Sequence, residues 1–197
     1  MRYLCVILLS FCIAGCLENK KTVGEFVKWI ENPENGLRRS KESEGFEVIA
    51  QYRPVAYIIC SESKNKTLTP EQYEKRKLQL DGMEYYQVRL RSTLGDPLMF
   101  GSSDQNVYHM RNNYLMFGQK EDISLLRNND TIPCSLYHFV NYQGLAPYAD
   151  ILLGFTADTT FNGEHELIYN DRVFGFGPLH FTFTEDEIKS VPELILN

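Results

Sequence analysis

The sequence predicts a mainly β protein, an antiparallel β-sandwich carrying two or three short peripheral helices. Three observations carry that expectation. Segments such as "EYYQVRLRS" alternate in character, placing Tyr86, Val88 and Leu90 on one face and Gln87, Arg89 and Arg91 on the other, the mark of a half-buried strand. Turn formers punctuate the chain at Asn35-Gly36, Asp81-Gly82 and Asn128-Asn129-Asp130. Strand candidates also follow one another in blocks instead of alternating with helices, which excludes a regular parallel α/β sheet and favours two packed antiparallel sheets.

Taken in order, Thr22 reads as a helix N-cap with Glu25 three residues on, and Val23, Phe26, Val27 and Ile30 follow at helical spacing. That helix stops at Asn32-Pro33, with Trp29 beside its apolar stripe as a packing anchor. The charged run "RRSKESEG" (38–45) reads as a loop. In "FEVIAQYRPVAYIIC", Phe46, Val48, Ala50 and Tyr52 alternate with Glu47 and Gln51 as a half-buried strand. Pro54 then implies an edge or a break, and "VAYIIC" reads as a more deeply buried strand. "LTPEQYEKRKLQLDG" is the clearest helix, with Thr69 as cap, Pro70 at the first position and Gln72 completing the capping box. Its charged surface marks it as an insertion on the outside.

The second half reads mainly as β. A short helix begins at Ser102 or Ser103 and runs to about Arg111, and "YLMFG" is a strand candidate. "DISLL" and "TIPCSLYHFV" flank the Asn-Asn-Asp turn as a hairpin, with Pro133 demanding an edge or bulge. "ADILLGFTA", "HELIYND" and "PLHFTFT" are further strands, and Thr184 with Glu187 offers a capping box over a turn near Ile188. There are no internal repeats and no low-complexity stretch, so residues 22–197 read as a single domain.

The first residues have another logic. Met1 and Arg2 precede an uncharged apolar run, Tyr3 to Ile13, about eleven residues long where a spanning helix needs about twenty. Ile13-Ala14-Gly15-Cys16 then leads straight into polar Glu18, Asn19, Lys20 and Lys21. This resembles the lipobox of bacterial lipoproteins. The resemblance implies that residues 1–15 are a removable signal peptide, that Cys16 becomes a lipidated N-terminus, and that residues 16–21 form a tether. A diacylglycerol and an acyl chain on Cys16 would anchor the protein, since each buried methylene contributes roughly 0.8 kcal/mol. The expected location is the cell envelope, at the outer membrane, on its periplasmic or surface face.

Loss of Arg2 with the leader would move the formal charge from −6 to −7. An acidic chain without a basic cluster argues against nucleic acid as a partner. Of five cysteines, Cys60 and Cys134 lie beyond the leader and the lipidated position. In an oxidising compartment they are a candidate disulfide, with two buried free thiols as the alternative. Neither has metal-ligand spacing, and no cofactor is implied.

Motifs for chemistry are sparse. His109, His138, His165 and His180 form no paired ligand motif with one another. In "EHE", a strand would put Glu164 and Glu166 on one face and His165 on the other, which opposes a three-ligand metal site, and Asn162-Gly163 before it suggests a solvated turn. His138 reads as a buried, hydrogen-bonded histidine. Leu179, Phe181 and Phe183 point to the core, leaving His180, Thr182 and Thr184 on the outer face. No nucleophile elbow or phosphate-cradling glycine loop appears. The unusual feature is aromatic content, twelve Tyr and twelve Phe. "VNYQGLAPYAD" (140–150) places Tyr142 and Tyr148 in a loop between strands, the kind of position binding loops occupy.

"KWIENPENGL", "QYRPVAYI" and "DTIPCSLYHFV…LAPY…LLGF" together are similar to a group of uncharacterised lipoproteins from Bacteroidetes-type bacteria. That resemblance implies an outer-membrane or surface lipoprotein and no particular activity. It also implies candidate O-glycosylation at Thr131, in Asp130-Thr131-Ile132, and at Thr159, in Asp158-Thr159-Thr160. In the C-terminal half, the strand spacing resembles the Ig-like sandwiches of exported bacterial proteins. The functional expectation is therefore a non-enzymatic, membrane-anchored binding or accessory module for an envelope protein or glycan. The alternatives are an immunity-like lipoprotein, an envelope hydrolase acting on glycan or peptide, and a structural spacer. The hydrolase alternative requires a concave pocket with at least two titratable groups in mutual reach.

Overall fold

The computed structural model describes residues 19–63, 67–158 and 160–196. Along the chain run β1 (Lys20–Thr22), α1 (Val23–Glu31), β2 (Arg38–Ser43), β3 (Phe46–Tyr52), α2 (Val55–Ser63), α3 (Pro70–Leu80), β4 (Met83–Ser92), α4 (Gln105–Phe117), β5 (Ile123–Arg127), β6 (Asp130–Pro133), β7 (Leu136–Val140), β8 (Tyr148–Thr156), β9 (His165–Asp171), β10 (Gly177–Phe183), α5 (Glu185–Lys189) and β11 (Glu193–Ile195). The fold is mainly β, as expected. A five-stranded antiparallel sheet, ordered β2-β3-β4-β8-β7, packs against a four-stranded antiparallel sheet, ordered β10-β9-β5-β6.

Alternation decides which faces meet. Val48 and Ala50 of β3, Tyr86, Val88 and Leu90 of β4, and Ile151, Leu153 and Phe155 of β8 point inward from the large sheet. Leu125 of β5, Leu167 and Tyr169 of β9, and Phe181 and Phe183 of β10 answer from the small one. The two inner faces form one core, as sandwich packing requires. A smaller core gathers Phe26, Ile30, Leu37, Tyr57 and Cys60 between α1 and α2.

Several segments differ from the sequence expectation, each for a physical reason. The run 38–45 is not a loop. It forms edge strand β2 and a hairpin turned by Glu44 (φ 52°) and Gly45 (φ 85°), the two positive angles a tight two-residue hairpin needs. Its charges are what an exposed edge tolerates. "VAYIIC" is not a strand but most of α2, whose first turn bonds back to the Pro54 carbonyl from the Tyr57 and Ile58 amides. A short apolar run has no period to separate buried strand from buried helix, and here Tyr57 and Cys60 fall at helical spacing onto α1.

"YLMFG" is likewise helical. Asp104 caps α4 by accepting from the Asn106 amide at 2.8 Å, and the helix continues through Phe117 because Arg111 and Leu115, four apart, share its buried face. The expected 16–21 tether is shortened at its far end, since Lys20–Thr22 pairs in parallel with β11. The α1, α3 and α5 starts are as expected: Glu25 accepts from the Thr22 amide, Thr69 from Gln72, and Thr184 from Glu187.

Between β6 and β7 the chain crosses from the small sheet to the large one. Pro133 ends the edge strand, and the Ser135 amide then bonds the Gly154 carbonyl at 2.9 Å. The crossing is so close that a side chain at Gly154 would meet Met83 Cε at 2.9 Å and Leu136 Cβ at 3.1 Å. Among the described residues, no helix is long and apolar enough to cross a membrane.

Candidate functional site

The outer face of the five-stranded sheet carries a polar groove of about 200 Å³, lined by Glu31, Arg38, Ile49, Gln51, Tyr57, Gln87 and Arg89. Its floor follows from alternation: Gln51 on β3 stands opposite Arg38 on β2 and Gln87 on β4, while Ile49 stands opposite Arg89. Its wall is supplied by α1 and α2. Gln51 donates to the Ile30 carbonyl at 3.4 Å, and the Tyr57 hydroxyl donates to Glu31 Oε1 at 2.9 Å.

The loop singled out by its tyrosines docks beside this groove. Arg89 makes a bidentate pair with Asp150, at 2.7 and 2.9 Å, and Gln87 donates to the same carboxylate at 2.8 Å. The Tyr142 hydroxyl donates to Asp150 Oδ2 at 3.0 Å, its ring lies 5.0 Å edge-on to Tyr148, and the Arg89 guanidinium stacks 4.0 Å over Tyr148. Hydrogen bonding to Asp150 raises the Arg89 pKa further, and burial together with the Asp150 charge raises that of Tyr142. Tyr142 and Tyr148 are thus half-buried supports of a charged floor, and the exposed tip of their loop is Leu145.

Most of the described arginines have partners. Arg39, Arg76, Arg89, Arg91, Arg127 and Arg172 pair with carboxylates. Arg111 spends its guanidinium on the carbonyls of Leu98, Phe100 and Val173. Among the described residues, Arg38 and Arg53 alone of the arginines have neither an ion pair nor a hydrogen bond from the guanidinium, and the Arg53 Nε is buried without a partner. Arg53 stacks 5.3 Å over the ring of Tyr57, and its burial lowers its pKa.

A second cluster lies inside the sandwich. Glu84 takes an inward position on β4, and its Oε1 is 2.7 Å from His165 Nδ1 and accepts from the Tyr86 hydroxyl. Its Oε2 accepts from Arg127, whose other nitrogen reaches the Thr156 carbonyl at 2.9 Å. Arg127 and His165 face each other across β5 and β9, so Glu84 ties the large sheet to the small one. Burial alone pushes the Glu84 carboxyl up, but the hydrogen bonds from His165 and Tyr86 and the charges of His165 and Arg127 outweigh it and leave it below the ordinary glutamate value. A cleft of about 250 Å³ opens beside it, and its lining includes Tyr52, Phe161, His165, Glu185 and Lys189.

The other expected residues are dispersed. Cys60 and Cys134 are free thiols in the smaller and the larger core respectively, so the candidate disulfide is not made. His138 is exposed on the outer face of edge strand β7 and not buried, because the crossing after Pro133 sets its parity opposite to Tyr137 and Phe139. His165 is in a strand and nearly buried instead of in a solvated turn. His180 lies on the outer face of β10, 3.2 Å from Glu166. Thr131 is exposed on edge strand β6. Cys16 and Thr159, with the whole 1–15 leader, lie outside the described residues. Among the described residues, no three His, Cys, Asp or Glu side chains gather to hold a metal.

Sequence reasoning missed both clusters. For the inner one a signal existed: Glu84, Arg127 and His165 each sit in phase with core residues of their strands, as in Ile123-Leu125-Arg127 and His165-Leu167-Tyr169. For the groove, Arg38 fell in a segment read as loop, and Tyr57 in one read as strand.

No family model matches the chain, and no curated protein matches it. Among solved structures, the chain is similar to a DUF4426 family protein from Pseudomonas aeruginosa PAO1, with 9% identity over 75% of this chain and 91% of that chain and a TM-score of 0.36. A likeness that loose has no bearing on function.

Proposed function

We propose that this chain is a lipid-anchored, non-enzymatic binding module of the cell envelope, held by Cys16 and taking its ligand in the groove on the outer face of the five-stranded sheet. The observation that supports this reading is the groove itself: a concave floor of Gln51, Gln87 and Arg89 with Arg38 and Tyr57 at its sides, braced by Asp150, Tyr142 and Tyr148. Fixed polar groups on sheet strands, positioned by a second layer of hydrogen bonds, are what a recognition site requires.

The hydrolase alternative draws on one observation, that Glu84 and His165 meet beside a cleft. Glu84, however, is engaged on both oxygens, accepting on one from His165 and Tyr86 and on the other from Arg127. These partners hold its carboxyl below the ordinary glutamate value, which makes it a weak general base. Among the described residues, the cleft lining holds no serine, threonine or cysteine to serve as nucleophile. The cluster reads as an inter-sheet clamp.

The test is photo-crosslinking in cells that make the lipidated protein. A photoreactive residue replaces Gln87 in the groove or, as control, Glu166 on the outer face of the small sheet. One dominant adduct from position 87, absent from position 166 and lost when Cys16→Ser removes the anchor, is the expected result. Equal adducts from both faces, or none from position 87, would overturn the assignment.

A further inference from the structure

We infer that the groove recognises an acidic saccharide, a hydroxyl-rich ring bearing a carboxylate. This inference rests on the groove being the ligand site and names the class of ligand it takes.

The chain is acidic, at −6, yet Arg38, Arg53 and Arg89 gather on this one face. Of the nearby carboxylates, Asp150 holds Arg89 in a bidentate pair, Glu62 pairs with Arg76, and Glu31, at the groove's wall, accepts from the neutral Tyr57 phenol. Arg38 and Arg53 are left, among the described residues, with no counter-ion. Arg38 lines the groove and Arg53 stands beside it over Tyr57, and two guanidinium groups without an ion pair on one face of an acidic protein favour an anion from solution.

Arg53 sharpens the point. A buried donor without an acceptor is costly and rare in a folded protein, and calls for a partner supplied from outside. The Arg53 Nε is such a donor, and its guanidinium carbon lies 5.3 Å from the centre of the Tyr57 ring, which itself lines the groove. A guanidinium fork matches the two oxygens of a carboxylate, which a lysine does not.

The rest of the lining selects among carboxylates. Gln51, Gln87, Glu31 and the Tyr57 hydroxyl present amide, carboxylate and phenol groups at the groove, and Ile49 is its one aliphatic side chain. An acidic peptide, which arginine clusters also bind, offers carboxylates without the vicinal hydroxyls that this lining suits. Mixed donors and acceptors suit vicinal hydroxyls, each both donor and acceptor. A guanidinium for the carboxylate, with amides and phenol for the hydroxyls, describes a uronate.

The test uses the full lipidated protein in detergent and calorimetric titration with tetragalacturonate and a hyaluronan tetrasaccharide, against neutral maltotetraose and a tetraglutamate peptide. Saturable binding of a uronate probe is expected, weakened by added salt and at least about tenfold tighter than the neutral sugar. Arg53→Gln and Arg38→Gln should each weaken it by about tenfold, while Arg172→Gln leaves it unchanged. Arg53→Lys, which keeps the charge and loses the fork, should recover only part of the affinity. Melting curves on every variant establish that the fold survives. Failure of both uronates to bind, or binding indifferent to Arg38 and Arg53, overturns the inference. Tetraglutamate binding as tightly, with the same arginine dependence, replaces the saccharide by an acidic peptide and also overturns it. If position 87 still crosslinks in cells while no uronate binds, the ligand class is wrong and the site stands; if both fail, both readings fall.

Discussion

His165 and Glu84 meet across the gap between the two sheets, with Nδ1 2.7 Å from Oε1 and both side chains nearly buried. The contact joins strands 81 residues apart in sequence, and Arg127 completes it from the neighbouring strand of the small sheet. A carboxylate so placed is stable only while its partners remain, and that dependence can be measured.

Glu84→Ala leaves Arg127 buried without its counter-ion. Breaking a buried pair from one side costs about 3–5 kcal/mol, because the orphaned charge is not resolvated. Urea unfolding should show a loss of that order. Replacing both partners together, as Glu84→Leu with Arg127→Met, should cost much less than the single change, since a well-packed apolar pair avoids both desolvation penalties. A single-variant loss below about 1 kcal/mol would mean that water already reaches the cluster.

The same cluster sets an acid dependence. The folded-state carboxyl of Glu84 is lowered, so its contribution is fully present above the ordinary glutamate value and is lost as the pH falls through the lowered folded value. Glu187 acts in the same sense: burial raises it, but the Thr184 amide and Arg39 together bring it below the ordinary value. The urea midpoint should therefore hold steady near neutrality and fall once the pH drops below about 4. Glu84→Gln should flatten that fall. An unchanged slope would assign the acid transition to other carboxylates.

How much of this was legible in the sequence depended on period. The alternation in β4 fixed which residues of that strand enter the core, and the Thr69-Pro70-Gln72 start fixed α3. Six apolar residues in "VAYIIC" had no period to read, so only packing onto α1 decided that they wind. Glu84 stood in core phase in the sequence itself. Which charged residues would face it across the other sheet is a matter of topology, and one sequence does not state how its strands are ordered. The groove was hidden for the same reason: Arg38, Gln51, Gln87 and Arg89 come from three strands and share a face only once β2, β3 and β4 are paired.

The two thiols give a chemical check on the cores. Burial raises both Cys60 and Cys134, at Cys134 against the lowering effect of the Gly154 backbone, and the two lie 5% and 6% exposed. A buried thiol with a raised pKa supplies little thiolate. Both cysteines should resist alkylation in the native protein and label fully in denaturant, and reductant should leave the melting temperature unchanged. A fall in melting temperature on reduction would show a disulfide and a different packing of α2.

The loop tyrosines carry the last prediction. The Tyr142 hydroxyl and the Arg89 guanidinium share the Asp150 carboxylate, and Tyr148 stacks under the same guanidinium. Removing the hydroxyl in Tyr142→Phe loses one charge-assisted hydrogen bond, about 1.5–3 kcal/mol at most and less where water replaces it. Removing the ring in Tyr148→Ala loses a cation–π contact of about 0.5–2 kcal/mol. The two changes reach one arginine by different routes, so their effects should not add, and a double-mutant cycle in urea should show a coupling above about 0.5 kcal/mol. The functional consequence runs through Arg89 alone. Its side chain lines the groove, so Tyr148→Ala should weaken crosslinking from position 87 while leaving Arg53 and its stack on Tyr57 in place. Undiminished crosslinking in a folded Tyr148→Ala, Tyr142→Ala double variant would remove the loop from the binding site and leave the floor and Arg53 to carry recognition by themselves.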